Sequence, residues 1–208
     1  MKHTSITNML KELYLFSSMD NDELERLTEI SSVHNYKKDE HVFMQGELGH
    51  HLLIVVEGIV SVFKHDNKGN EIIISFFKPF SLLGEAAILK GVTFPSTAVC
   101  KSDGVILKIE FKKFKELFMH DPHISFEIIQ SLLDKIQLLQ QNIHFTIAKT
   151  AKEKVLHFYA NNKDLSLELK KYEIASLLGM NAETLSRNIK KLIKEGKLLK
   201  VDNRYKLL

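Results

Sequence analysis

Apolar positions along this chain change their spacing three times, and each spacing predicts a different kind of element. Near the start, residues 9–15 and 20–30 carry apolar side chains at helical intervals. From about Val33 to Ile109 they come in short pieces instead, at 41–44, 52–56, 59–63, 72–77, 97–99 and 105–109. Turn chemistry separates the pieces: Gln45-Gly46, Glu57-Gly58, Asn67-Lys68-Gly69-Asn70, Lys78-Pro79 and Ser102-Asp103-Gly104. Many short strands at this interval predict a β-barrel or jelly roll, not a parallel sheet with crossovers.

The pattern then becomes helical again over 122–148. Pro122 suits a first turn, and no glycine or further proline interrupts the run. Heptads counted from Ile129 place Ile129, Ile136 and Ile143 at a, with Leu132, Leu139 and Thr146 at d. Isoleucine at a with leucine at d favours a parallel two-stranded coil, so the spacing predicts a homodimer through Ile129, Leu132, Ile136, Leu139 and Ile143. A helix packed only on its own barrel would also be amphipathic, and that alternative stays open. Asp134, Gln137, Gln140 and Gln141 make the opposite side polar.

Beyond Thr150 the elements shorten. A helix through 154–159 leads to a polar turn at 161–164 and a short strand at 165–169. Ile174, Ala175, Leu177 and Leu178 then give a short amphipathic helix, stopped by Gly179, where a left-handed residue is needed. Asn181 is the N-cap of a second helix running to about Glu195, with Gly196 as its stop. Leu185, Ile189, Leu192 and Ile193 form its apolar stripe. Segments 197–201 and 204–208 flank Asp202-Asn203, a two-residue hairpin turn that makes a wing. The chain is thus read as α+β: a barrel sensor domain with N-terminal helices at 1–121, a dimerisation helix at 122–148, and a winged helix-turn-helix at 149–208.

The solvent face of the second helix carries the chemistry. Glu183, Ser186 and Arg187 lie near its N-terminus, with Asn181 and Thr184 beside them, followed by Lys190, Lys191 and Lys194. One carboxylate, one hydroxyl and one guanidinium suit base edges, while the lysines suit phosphates. An ordinary helical hairpin with a solvated face would look similar, but charge argues against it. From residue 150 to 208 there are 13 Lys and Arg against 7 Asp and Glu, a net +6. The rest holds 16 against 19, a net −3, within a total of 29 against 26. The basic charge sits on the part that reads as a DNA binder.

Composition excludes several classes. No apolar run is long enough to span a bilayer, and Met1-Lys2-His3-Thr4 lacks a signal peptide's apolar core. The single cysteine, Cys100, can form no internal disulfide, so a reducing cytoplasm is expected. No phosphate loop, zinc-protease helix or nucleophile elbow is present, which argues against an enzyme.

Five segments, in order, resemble the superfamily of the cyclic-AMP receptor protein and the fumarate-nitrate reductase regulator, bacterial transcription factors. Phe43-Met44-Gln45-Gly46-Glu47 and Leu53-Ile54-Val55-Val56-Glu57-Gly58-Ile59-Val60 resemble its barrel signatures, followed by Gly69-Asn70-Glu71 and Leu83-Gly84-Glu85. The stretch from Ile174-Ala175 to Gly179, then Glu183-Thr184-Leu185-Ser186-Arg187, resembles its DNA-reading motif. The resemblance covers nearly the whole chain. It implies a cyclic-nucleotide-binding-like sensor domain, a homodimer on double-stranded promoter DNA, and RNA polymerase as a partner. It also implies that Glu183 and Arg187 contact a G·C pair. Ala182 and Ser186 are closer to the fumarate-nitrate branch, so the implied half-site is nearer TTGA than GTGA, with inverted half-sites about one helical turn apart.

The effector is less legible. The resemblance places the pocket at Gly84, Glu85, Ser96 and Thr97. The cyclic-AMP branch closes its phosphate cassette with Arg-Ser, yet here Pro95 precedes Ser96, and proline brings neither charge nor a backbone donor. That argues against cyclic AMP. One cysteine excludes an intrachain iron–sulfur cluster with about four thiolates. Ten histidines keep a haem-based nitric oxide or redox sensor open, with His34, His41, His50, His51 and His65 in the barrel and His3 in the N-terminal tail. Another small ligand, or none, stays equally open, and the metal is undetermined. The rival function is a regulatory subunit that binds a ligand in its barrel and acts through protein contacts, without specific DNA binding.

Overall fold

A computed structural model describes residues 2–67, 69, 71–148, 150–162, 169–201 and 204–207. Close packing divides the chain into two units: Met1–His65 with Ile74–Lys135, and Asp66–Ile73 with Ile136–Leu208.

Eight strands precede the long helix: β1 (Ser31–Tyr36), β2 (His41–Phe43), β3 (His51–Glu57), β4 (Val60–His65), β5 (Glu71–Phe77), β6 (Leu82–Leu83), β7 (Thr97–Cys100) and β8 (Gly104–Glu110). They form two four-stranded sheets, β1-β8-β3-β6 and β2-β7-β4-β5. This is the jelly roll expected from the short alternating pieces. In β3, Leu52, Leu53, Ile54 and Val55 are all buried in succession, where a half-exposed strand would alternate. Both faces of that sheet are therefore covered. Helices supply part of the cover. α1 (Lys2–Glu12) and α2 (Asn21–Glu29) pack on β1, and α4 (Phe111–Phe118) packs on β3 and β8. Asp20 and Glu23 cap α2 reciprocally, each side chain accepting from the other residue's backbone N–H at 2.8 and 2.9 Å. Phe114 anchors α4, its ring edge-on to Phe16 with centroids 6.3 Å apart.

Between β6 and β7 lies a one-and-a-half-turn helix, α3 (Glu85–Lys90), entered through Gly84 at φ 64°. Glycine is required there twice over. The left-handed backbone disfavours a side chain, and a Cβ would stand 2.5 Å from the Phe94 ring. α3 is too short for apolar spacing to show it, α4 goes unread although Phe111, Phe114, Leu117 and Phe118 fall at helical intervals, and β1 is too polar (Ser-Ser-Val-His-Asn-Tyr) to be read as a separate strand.

The long helix α5 (Pro122–Ala148) runs over the span its spacing predicts. Its first half packs on the barrel through Ile124, Ile128, Ser131 and, partly, Leu132. Here the heptad reading is corrected: Leu132, expected in the dimer seam, turns into its own core. The exposed apolar stripe is Phe126, Ile129, Leu133, Ile136 and Leu139. The barrel takes every third or fourth position for itself, which shifts the free stripe one residue round at 132/133. The side chains of Ile143 and Thr146 lie outside the described residues.

The second unit holds α6 (Ala151–Asn161), α7 (Lys171–Leu177), α8 (Ala182–Lys194) and a hairpin of β9 (Leu198–Val201) with β10 (Arg204–Leu207). Thr150 and Glu153 form a capping box at the start of α6. Val155, Phe158, Tyr159, Ile174, Leu185, Ile189, Leu192 and Leu198 are among its buried side chains, with Tyr159 edge-on to Tyr205 at 5.6 Å. Burial pushes the Tyr159 hydroxyl's pKa up. Lys152, at the start of α6, holds both oxygens of Glu195 beyond the end of α8 at 2.9 Å. The strand expected at 165–169 and the turn Asp202-Asn203 lie outside the described residues, except that Leu169 is buried.

Candidate functional site

The turn between α7 and α8 forms for local reasons. Gly179 takes φ 65°, and the Met180 N–H reaches back to the Ala175 carbonyl at 3.0 Å, closing α7. Asn181 then caps α8, its Oδ1 accepting from the Thr184 N–H at 2.8 Å. Leu185, Asn188, Ile189 and Leu192 turn inward, and Asn188 satisfies its buried amide by donating to the Thr184 carbonyl at 2.8 Å. Ile193, expected in the buried stripe, is instead partly exposed, because it sits at the stripe's margin in the last turn.

With that face buried, the outward face is determined. Glu183, Ser186, Arg187, Lys190, Lys191 and Lys194 together make one open face along α8. Ser186 is half-buried, while Glu183, Arg187 and the three lysines are exposed. Arg187 Nη2 lies 3.5 Å from Thr184 Oγ1, so the guanidinium rests over the first turn beside Glu183. One acceptor and one five-donor fork stand a single helical turn apart, backed by three ammonium groups toward the C-terminus. The carboxylate sits at the positive end of the helix dipole and the lysines toward the negative end, which favours both. Such a face offers a pair able to discriminate a base pair and a cationic row able to hold phosphates.

The residues expected to line an effector pocket lie in the barrel. Glu85, Ser96 and Thr97 are buried, and Thr97 Oγ1 accepts from the Gln45 N–H at 3.0 Å. Pro95 is exposed. Phe94 lies against Gly84 and Gly49 and stacks on Phe43, with ring centroids 3.9 Å apart. Sequence reasoning missed Lys135. Its Nζ is 2.6 Å from Glu85 Oε1 and donates to the Leu82 carbonyl at 2.8 Å. The ammonium also stands 5.3 Å from the centre of the Phe77 ring. Burial draws the Lys135 pKa down, partly offset by Glu85. One signal was available: Lys135 is the only lysine or arginine in the 27 residues of α5.

His34, His41, His50, His51 and His65 are all exposed. His51 lies close enough to His34 and to His50 for their charges to interact, yet among the described residues no three His, Cys, Asp or Glu side chains converge as a metal site. Burial and then Lys108 lower the pKa of both His34 and His51. The side chain of His3 lies outside the described residues. Cys100 is buried, and burial pushes its thiol up to about 11, with Glu40 and Asp103 adding to the effect. No helix among the described residues is long and apolar enough to cross a membrane.

Comparison with known proteins places these features together. Residues 33–121 match the cyclic nucleotide-binding domain family. The chain is 23% identical over 171 residues to the cAMP-activated global transcriptional regulator CRP of Salmonella typhimurium, covering 77% of this chain and 81% of that protein. It is 23% identical over 192 residues to the transcriptional activator protein FnrL of Cereibacter sphaeroides, covering 85% and 76%. Among solved structures, FixK2 from Bradyrhizobium japonicum superposes with a TM-score of 0.75 at 20% identity, over 86% of this chain and 92% of that one.

Proposed function

This chain belongs to the Crp/Fnr superfamily of transcriptional regulators, which are not enzymes, and from that premise we propose that it acts as a homodimer on promoter DNA with inverted TTGA-like half-sites. In this reading α8 enters the major groove. Glu183 accepts from cytosine N4, Arg187 donates to guanine O6 and N7, and Ser186, Thr184 and Asn181 lie close enough to assist. Lys190, Lys191 and Lys194 neutralise phosphates. The observation that carries the reading is the α8 face itself, where the carboxylate, the guanidinium and the three lysines share one exposed surface. Two such helices related by a two-fold axis suit two half-sites about one turn of duplex apart. The exposed stripe of α5 supplies the seam that pairs them. RNA polymerase is the further partner, and the cytoplasm the place of action.

The effector that the Salmonella relative's name carries is not transferred. Pro95 stands where a phosphate-binding arginine belongs, so the regulator does not use cyclic AMP. The residues do not single out haem either, since the five barrel histidines are all exposed.

A mobility-shift titration tests the whole reading. The full-length protein should retard a duplex with inverted TTGA half-sites at least about a thousandfold more tightly than scrambled DNA at physiological salt. It should do so equally with and without cyclic AMP. Equal retention of both duplexes would leave the rival reading, a regulatory subunit acting through protein contacts.

A further inference from the structure

Glu85 poses a physical problem that the DNA-reading function does not address. It is the first residue of α3, its side chain is 7% exposed, and a lone buried carboxylate is costly. The chain solves this internally, with Lys135 brought from α5. The ammonium makes an ion pair with Glu85, a hydrogen bond to the Leu82 carbonyl and a cation–π contact with Phe77. All three partners belong to the barrel, and they flank the glycine-entered helix where a small molecule would be received. Lys135 is also the last residue of α5 that packs with the barrel unit, since Ile136 onward belongs to the other. Ser131, one turn earlier, is buried on the same side of the helix.

We propose that the Glu85 end of the barrel is an ammonium-binding site whose resident ligand is the chain's own Lys135, so that α5 is latched to the barrel without any free effector. The carboxylate provides the charge, the Leu82 carbonyl a second acceptor and Phe77 the apolar wall. A free molecule competing for this site would have to present a primary ammonium, not a phosphate. The latch does not rest on the regulator reading above, and it can be tested without DNA.

Hydrogen exchange on the full chain, read over residues 128–140, separates the two. Lys135→Ala removes three methylenes and the ammonium, the volume and charge of propylammonium. That variant should exchange these amides about tenfold faster than the wild type. Millimolar propylammonium should restore protection, while sodium chloride or tetramethylammonium at equal concentration should not. Glu85→Gln should loosen the same amides and resist rescue, and it carries the test should Lys135→Ala fail to fold. Unchanged exchange in both variants, or equal rescue by sodium chloride, would overturn the proposal. In the operator assay, wild-type binding to scrambled and TTGA duplexes alike would refute the regulator reading while leaving the exchange result standing.

Discussion

Arg187 and Lys194 lie two helical turns apart on the same face of α8, and the proposed function assigns them different work. An arginine at the first turns can meet two acceptors of one guanine, whereas a lysine at the last turn acts as a point charge beside a phosphate. Arg187→Ala should therefore cost about 1–3 kcal/mol on the preferred duplex and relax discrimination at one G·C pair. Lys194→Ala should weaken all duplexes alike and flatten the dependence of log affinity on log salt by about one unit. Fluorescence anisotropy over a salt series reads both. An Arg187→Ala variant equally weakened on TTGA and scrambled duplexes would make the arginine a phosphate clamp. These residues were legible because their constraints are local: Asn181 caps a turn that Gly179 has just made, and one helical period then decides which side chains face out. Lys135 was not. Its partner Glu85 sits in another element 50 positions away, and nothing local marks a lysine as the counter-ion of a distant carboxylate.

At the scale of elements, α5 shows where periodicity stops being sufficient. The helix was legible from end to end, but its allocation of faces was not, because a heptad count assumes one apolar seam and this helix has two. Ile124, Ile128 and Leu132 serve the barrel, while Phe126, Ile129, Leu133 and Ile136 are left outside. Neighbouring leucines should therefore behave in opposite ways. Leu132→Ala should destabilise the fold by about 1–3 kcal/mol in a denaturant melt and leave the association state unchanged. Leu133→Glu should leave the melting of the barrel near the wild type while raising the dimer dissociation constant. Sedimentation velocity distinguishes them, and dissociation by Leu132→Ala alone would restore the original heptad. The missed elements differ in cause. α4 was legible, since Phe111, Phe114 and Phe118 recur at helical intervals among lysines and glutamate, and Phe114 and Phe118 are its buried side. α3 is six residues long, too short for a period to be seen.

For the whole molecule, the uneven charge and the free stripe of α5 bear on the same event. The chain from residue 150 onward carries +6 and the remainder −3, so attraction to a polyanion is concentrated at one end of the sequence. In the proposed function one copy of α8 spans only part of a duplex turn, and high affinity depends on a second copy held at a set distance. Ile136 is 49% exposed in the middle of the free stripe, so a charge there should open the seam and leave each barrel folded. The wild type should bind inverted half-sites tightly and lose that advantage when five base pairs are inserted between them, since this rotates one half-site by about half a turn. Ile136→Glu should bind the normal and the expanded site equally, at the level of a single half-site. Should Ile136→Glu still discriminate between the two duplexes, the copies must be paired through another surface, and the exposed side of α5 would need a different partner.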